Sequence, residues 1–230
     1  MARPPKPYRE SLERKALDKA AATCMAVTGS PLAVVTAAAL CLESGTLNPF
    51  FKQHRIGVDE KEFLLTKFRT IYPAFGKNPD EVKTFGSEDP RATPVGSLLR
   101  RVGFDEWPQW WNVMRGDLSM NGARPQIKTV RDEREATARE YGFYDVFETW
   151  ENECCRVRLG LFGAGQSLAH RMGRYAETGP HAIEPIMMAD IVSEATASLE
   201  NDIKAIVETP LGLARDALMR VVRPTQQVWQ

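Results

Sequence analysis

Between Ala20 and Leu42 the chain runs for 23 residues without a charged side chain, and this stretch constrains the fold more than any other. As a straight helix it would reach about 34 Å, close to the thickness of a bilayer core. Its centre is Gly29-Ser30-Pro31, and a proline inside a helix removes one amide donor and crowds the preceding turn. The run is rich in alanine and threonine, so its insertion into lipid is only modestly favourable. Four structures are compatible with it. A cleaved signal fits the basic start and Thr36-Ala37-Ala38-Ala39, although the charged lead is long and the run exceeds a usual apolar signal core. A buried core helix fits the alanines, which pack closely. A straight span would place everything after Leu42 across a membrane. A re-entrant helix broken at Ser30 and Pro31 would enter and return to the same face. Each of its halves would be about 17 Å long, with the Thr28 and Ser30 hydroxyls serving backbone groups freed at the bend.

The remainder has the composition of a globular protein, with 43% apolar and 26% charged residues in 230. Lysine plus arginine balances aspartate plus glutamate at 30 each, which gives no basic field for a nucleic-acid partner. Residues 1–19 nevertheless hold six basic against three acidic side chains. A basic segment ahead of an apolar one is attracted to an anionic cytoplasmic leaflet. Cys24 and Cys41 lie in the apolar run and Cys154 and Cys155 are adjacent. That spacing makes no CxxC metal pair and predicts a reduced, cytosol-facing protein without disulfides.

Beyond Leu42 the pattern is mostly helical with a little strand. Phe50–Gly57 and Glu62–Thr70 read as a hairpin around a charged turn. Residues 73–94, with several prolines and glycines, read as a loop. Leu98, Leu99 and Val102 have helical spacing, and Pro108 can open a helix carrying Trp110, Trp111, Val113 and Met114. Gly116 and Gly122 punctuate a loop leading to Arg124-Pro125. Residues 127–153 alternate charges at helical spacing, and 186–208 predict a further helix with Ile186, Ala189 and Val192 on one face.

Taken singly, the polar motifs have ordinary explanations. Asp105-Glu106 would be a solvated surface pair, Arg100-Arg101 a basic helix face, and Lys67-Phe68-Arg69 an exposed strand. His54, His170 and His181 are scattered, as structural or surface residues are, and Asp117 suits a turn held by its side chain. Trp107, Trp110 and Trp111 fit either core packing or an interfacial helix at headgroup level.

Their order is more specific. Lys15-Ala16-Leu17-Asp18, Ser30-Pro31 inside the apolar run, Gln53-His54-Arg55-Ile56-Gly57 and Lys67-Phe68-Arg69-Thr70 follow one another. Then come Asp89-Pro90-Arg91-Ala92-Thr93, Gly96, Leu98-Leu99-Arg100-Arg101 and Asp105-Glu106-Trp107-Pro108-Gln109. Asn112-Val113, Gly116-Asp117-Leu118-Ser119 and Gly122-Ala123-Arg124-Pro125 close the series. The series resembles the bacterial sugar transferases, the monotopic polyprenyl-phosphate phosphoglycosyl transferases, strongly over residues 14–125 and faintly beyond.

The resemblance implies a single domain, mostly α with a small β-hairpin, in three parts. These are a basic segment 1–19, a re-entrant membrane helix 20–42 broken at Ser30 and Pro31, and a catalytic region 43–230 whose interfacial helices rest on the cytoplasmic face of the bacterial inner membrane. It implies transfer of a phosphosugar from a nucleotide sugar, usually a uridine diphosphate sugar, to a polyprenyl phosphate, the first step of a surface glycan. Asp105 matches the nucleophile and Glu106 an assisting base or metal ligand; Arg100 and Arg124 match phosphate-binding positions. Magnesium is the implied cofactor, held by Asp105 and Glu106; membrane lipids are implied partners, and the oligomeric state is not specified. Two adjacent carboxylates repel, so one needs a cation or a raised pKa. A divalent ion would meet that need while offsetting diphosphate charge.

Several positions depart from the family pattern. Leu47-Asn48-Pro49 replaces a Gly-Pro, and Gly122-Ala123-Arg124-Pro125 lacks a proline, which predicts a looser loop around Arg124. Arg158-Leu159-Gly160-Leu161-Phe162-Gly163 with Gln166 lacks a proline and a threonine, and Ala189-Asp190 matches a Leu-Asp weakly. Many relatives carry further N-terminal spans, so the resemblance is to a minimal form. Two other functions remain compatible with these residues: a non-catalytic relative that binds lipid or scaffolds a glycan pathway, and a secreted or soluble interaction domain behind a cleaved signal.

Overall fold

The computed structural model describes residues 7–75, 89–172 and 180–208. Part of the expected loop, residues 76–88, lies outside the described residues, as does the His170 side chain. Helix α1 spans Leu12–Ser44. Ser11 caps its start by accepting a hydrogen bond from the Arg14 N–H, and Gly45 ends it in the left-handed conformation with its N–H on the Cys41 carbonyl. The apolar run is therefore the greater part of a longer helix that begins within the basic segment.

Pro31 sits inside α1 rather than between two helices. Its missing N–H would orphan the Val27 carbonyl, and the Ser30 hydroxyl donates to that carbonyl at 3.0 Å. Thr28 donates to the Cys24 carbonyl at 2.8 Å. Between them the Met25 carbonyl accepts from the indole Nε1 of Trp107 at 2.8 Å. Three carbonyls around the proline thus have side-chain donors.

The surroundings of this helix bear on two of its four possible roles, the core helix and the cleaved leader. It is long and apolar enough to cross a membrane, yet only 17% of its most apolar window is buried. Val27, Val34, Val35 and Leu42 are exposed, which a core helix would not allow. Ala22 belongs to the main core, while Ala33 and Leu40 belong to a second cluster with Phe68 and Leu99. A cleaved leader would not supply both cores. The basic lead is also more deeply placed than a leaflet-binding segment. Arg9, Arg14 and Asp18 are buried; Arg9 pairs with Glu194 at 2.6 Å and Arg14 with Asp202 at 2.6 Å. Asp18 accepts from the Ser119 hydroxyl and the Met120 N–H, each at 2.8 Å.

Strands β1 (Phe50–Ile56) and β2 (Glu62–Phe68) form the expected antiparallel hairpin, pairing Phe51 with Lys67 and Gln53 with Leu65. Period-two alternation turns Phe51, Gln53 and Arg55 inward together. Helix α2 (Pro94–Val102) is capped by Thr93, whose hydroxyl accepts from the Gly96 N–H at 2.9 Å. A 3-10 helix, Phe104–Gln109, follows, and Pro108 lies within it, so α3 (Trp110–Arg115) starts two residues later than expected.

The loop expected at 116–122 contains a short strand. This strand, β3 (Ser119–Asn121), pairs in parallel with β4 (Gly160–Phe162). The charged stretch 127–153 is two helices, α4 (Lys128–Tyr141) and α5 (Tyr144–Cys154), separated at Gly142, which has a φ of 79°. Helix α6 spans Ala164–Met172 and α7 spans Pro180–Ala195. The expected single helix 186–208 divides after Ala195, because the Ser198 side chain starts a new turn by accepting from the Asn201 N–H. Its buried face carries Ile183, Ile186, Met187 and Asp190, while Val192 is exposed. Trp150, Leu118, Leu161 and Met187 lie at the centre of the main core. The chain is mostly helical with a small hairpin, and all four cysteines are free.

Candidate active site

Gly103 adopts a left-handed conformation between α2 and the 3-10 helix, with φ 72°, which turns Asp105 and Glu106 back toward the hairpin. Asp105 is buried and lines a cavity with Phe51, Gln53, Lys67, Thr70 and Arg100. Among the described residues no hydrogen bond reaches its carboxylate.

Glu106 is placed differently. Arg124 grips it with two guanidinium nitrogens, Nη1 donating to Oε2 at 3.2 Å and Nη2 to Oε1. Lys67 Nζ donates to Oε1 and Gln166 Nε2 donates to Oε2, both at 3.4 Å. Two carboxylates one residue apart thus have opposite surroundings. Burial and the neighbouring Glu106 push the Asp105 carboxyl up, against Lys67, Arg100 and Arg124. Burial also acts to raise Glu106, but Arg124 and Lys67 outweigh it and hold that carboxyl below the usual range. Burial brings the Lys67 ammonium down to about 8, with Glu106 opposing.

Arg100 reaches the same cavity from α2. Its Nε donates to the Thr70 hydroxyl at 2.7 Å and its Nη1 to Asp89 at 3.1 Å. Helix α2 can lie this close because residue 96 is glycine; a Cβ there would collide with the backbone of Thr70. Arg55 donates to the Pro125 carbonyl at 3.0 Å, and Gln126 Nε2 to the Arg124 carbonyl at 2.9 Å. The Arg124 loop is therefore tied down without the missing proline. Gly122 N–H donates to Phe162 at 2.8 Å and Gly160 N–H to Ala123 at 2.9 Å, so the parallel strand pair braces it.

The structure brings Asp105, Glu106, Arg100 and Arg124 to one place. Ser30 and Pro31 are apart from it, in the middle of α1. Lys67 and Gln166 stand in motifs named from the sequence but were given no role in the site. Lys67 is buried rather than on an exposed strand, and the signal for it was positional: it stands opposite inward-facing Phe51 in the hairpin. Gln166 arrives from a distant helix and left no such signal. Asp117 accepts from Asn112 Nδ2 at 3.1 Å within the turn after α3, which agrees with a structural role. His54 and His181 are exposed.

No group of three histidine, cysteine, aspartate or glutamate side chains that could hold a metal occurs among the described residues. Asp105 does offer an oxygen donor facing a polar cavity. Magnesium typically takes one or two carboxylates and completes its shell with water and phosphate oxygens, so the donor set fits an ion brought with a diphosphate.

The bacterial sugar transferase family matches residues 9–216. The chain belongs to the bacterial sugar transferase family. Among the family's curated members, it is 32% identical over 198 residues to a UDP-glucose:undecaprenyl-phosphate glucose-1-phosphate transferase of Caulobacter vibrioides, covering 86% of this chain and 68% of the relative. It is 34% identical over 123 residues to an undecaprenyl-phosphate glucose phosphotransferase of Komagataeibacter xylinus, covering 53% of this chain. The aligned part is 23% of that longer relative. The exopolysaccharide production protein ExoY of Rhizobium meliloti is 32% identical over 168 residues, 67% of this chain and 68% of the relative.

Proposed function

We propose that this bacterial sugar transferase moves a sugar 1-phosphate from a nucleotide sugar, a uridine diphosphate sugar foremost, to undecaprenyl or a similar polyprenyl phosphate at a membrane. The observation that carries the proposal is the asymmetry of the acidic pair. Asp105 faces the cavity with no hydrogen bond from the other described residues, while Glu106 is held by Arg124, Lys67 and Gln166.

Transfer through Asp105 divides one difficult displacement into two. An Asp105 oxygen attacks the phosphorus that bears the sugar. The bond from that phosphorus to the bridging oxygen breaks, and nucleoside monophosphate leaves with the oxygen. A polyprenyl phosphate oxygen then attacks the same phosphorus, and the Asp105 carboxylate is released. Arg100, Lys67 and Arg124 surround the nucleophile with positive charge suited to phosphate oxygens. Glu106 sets the geometry of Lys67 and Arg124 before substrate arrives, and it gains freedom to act as base or metal ligand as they turn to phosphate. Magnesium, when bound, would be held by Asp105 and Glu106 with the diphosphate and would offset its charge.

Both ends of α1 pack into one body: Arg14, Asp18 and Ala22 with the β3 region, Ala33 and Leu40 with Phe68 and Leu99. This supports a re-entrant, monotopic arrangement, since a straight span would part the two ends. Leu98 and Val102 of α2 and Trp111 of α3 are exposed, in keeping with helices that lie on the cytoplasmic leaflet.

The test is turnover of detergent-solubilised full-length chain with magnesium, a panel of nucleotide sugars and undecaprenyl phosphate. Nucleoside monophosphate is expected to appear and Asp105→Asn to abolish it. Turnover that survives Asp105→Asn would refute the mechanism, and no turnover with any donor would favour a lipid-binding scaffold.

A further inference from the structure

Trp107 follows Glu106 directly, and its side chain leaves the catalytic cavity for the middle of α1. The ring lies nearly parallel to Phe68, with centroids 6.1 Å apart and planes at 10°, and also stacks on Phe104 at 6.0 Å. Its Nε1 donates to the Met25 carbonyl at 2.8 Å. In a regular helix that carbonyl serves the Gly29 N–H one turn on. Here the indole reaches it because Gly29 has no side chain; a Cβ at that position would fall on the indole Nε1. Two residues later stand Pro31 and the Val27 carbonyl it leaves to Ser30. The contact therefore falls at the one place in α1 where the backbone is least constrained by its own hydrogen bonds.

We infer that Trp107 is a positioning residue, an indole latch that fixes the Gly29–Pro31 turn of the membrane helix against the segment bearing Asp105 and Glu106. The inference rests on the transferase reading of that site. A polyprenyl phosphate is confined to the membrane surface, so the height of Asp105 above that surface decides whether its phosphate can reach the nucleophile. A soluble nucleotide sugar is indifferent to that height. The latch joins the element that sets depth to the element that does chemistry through one hydrogen bond, with the stacks on Phe68 and Phe104 holding the indole in place. Loosening it should impair the acceptor selectively.

The experiment uses full-length protein in lipid nanodiscs, with KM and kcat measured separately for donor and for undecaprenyl phosphate. Formation of the donor-derived adduct without acceptor is measured in parallel. Trp107→Phe keeps the stack and removes only the hydrogen bond; the acceptor KM is expected to rise about fivefold, roughly the worth of one neutral hydrogen bond. Gly29→Ala expels the indole and should raise it further, while donor KM and adduct formation stay within about twofold in both, a change inside ordinary surface-mutation effects. The double variant should be no worse than Gly29→Ala, because both changes break one contact. Equal losses toward donor and acceptor, as a merely structural role gives, would overturn the latch, as would unchanged kinetics. Asp105→Asn separates the two levels: if it is inactive while the latch variants behave as wild type, only the latch fails. If Asp105→Asn still turns over, the transferase mechanism fails and the positioning role with it.

Discussion

Arg124 and Lys67 both terminate on Glu106, and that shared acceptor makes the pair more informative than either cation alone. Arg124→Ala would leave a half-buried carboxylate short of its bidentate partner, at a cost of about 1–3 kcal/mol in stability. Transfer should fall on the order of 10²-fold, as when one preorganised donor is lost from a charged site. Arg124→Lys is expected to restore the stability but little of the rate, since an ammonium cannot make the two-pronged contact. Equal rates for the lysine and arginine forms would show that the fork geometry is irrelevant. At this scale the short ordered motifs anticipated which residues come together, as Asp105, Glu106, Arg100 and Arg124 do. Lys67 was harder, because a lysine two residues before an arginine reads as solvated until its strand register is known. Gln166 was named only in a segment that departs from the family pattern, and its proximity to Glu106 spans 60 residues of chain.

Helix α2 is held by contacts that its own sequence does not announce. Gly96 lets it touch the Thr70 backbone, and Asp89 joins Arg91 to Arg100. Gly96→Ala should therefore displace the helix, destabilise the protein by about 1–3 kcal/mol through overpacking, and weaken transfer by moving Arg100. Normal activity with normal stability would show that the close approach is not required. Asp89 gives the element a pH signature. Burial pushes its carboxyl up, but hydrogen bonds from Arg91 and Arg100 prevail and hold it at about 2. A carboxyl depressed in the folded state contributes stability that is complete above its ordinary range near pH 4 and is lost as pH falls toward 2. The contribution is about 2 kcal/mol, roughly half of it gone by pH 3. Denaturant unfolding between pH 6 and 3 should show this slope in the wild type and a flatter one in Asp89→Asn; parallel slopes would remove Asp89 from the account. Among elements, the hairpin was legible because two seven-residue extended segments flank a charged turn. The three-residue strands β3 and β4 have no room for a period, and they pair across a long separation. The charge pattern of 127–153 gave helix but not the break at Gly142, which follows from one residue's conformation.

Across the whole molecule, a buried ionic network joins the beginning of the chain to its far end. Asp202 pairs with Arg14, accepts from Asn121 Nδ2 at 2.7 Å and from the Tyr8 hydroxyl at 3.0 Å. Composition presented the same arginines as a basic leash, and nothing local marks an arginine whose partner is almost two hundred residues away. Removing one member of such a pair strands a buried charge, so Asp202→Ala is expected to cost about 3–5 kcal/mol, measured by thermal unfolding in detergent. A loss under about 1 kcal/mol, ordinary for a surface site, would deny the network its role. The apolar run was readable as a long apolar helix, and what each of its ends touches bears on the four forms it could take. Cysteines introduced at positions 19 and 43 should label from the same side of sealed vesicles, and labelling from opposite sides would establish a straight span. The parallel pairing of β3 with β4 has a last consequence, for biogenesis. A ribosome releases α1 and the acidic pair long before residues 160–166, so the helix can reach lipid while the strand partner and Gln166 are still unmade. The Gln166 contact to Glu106 and the strand that braces the Arg124 loop then wait on the later part of the chain, and on the proposed membrane reading α1 would meet lipid before either is made.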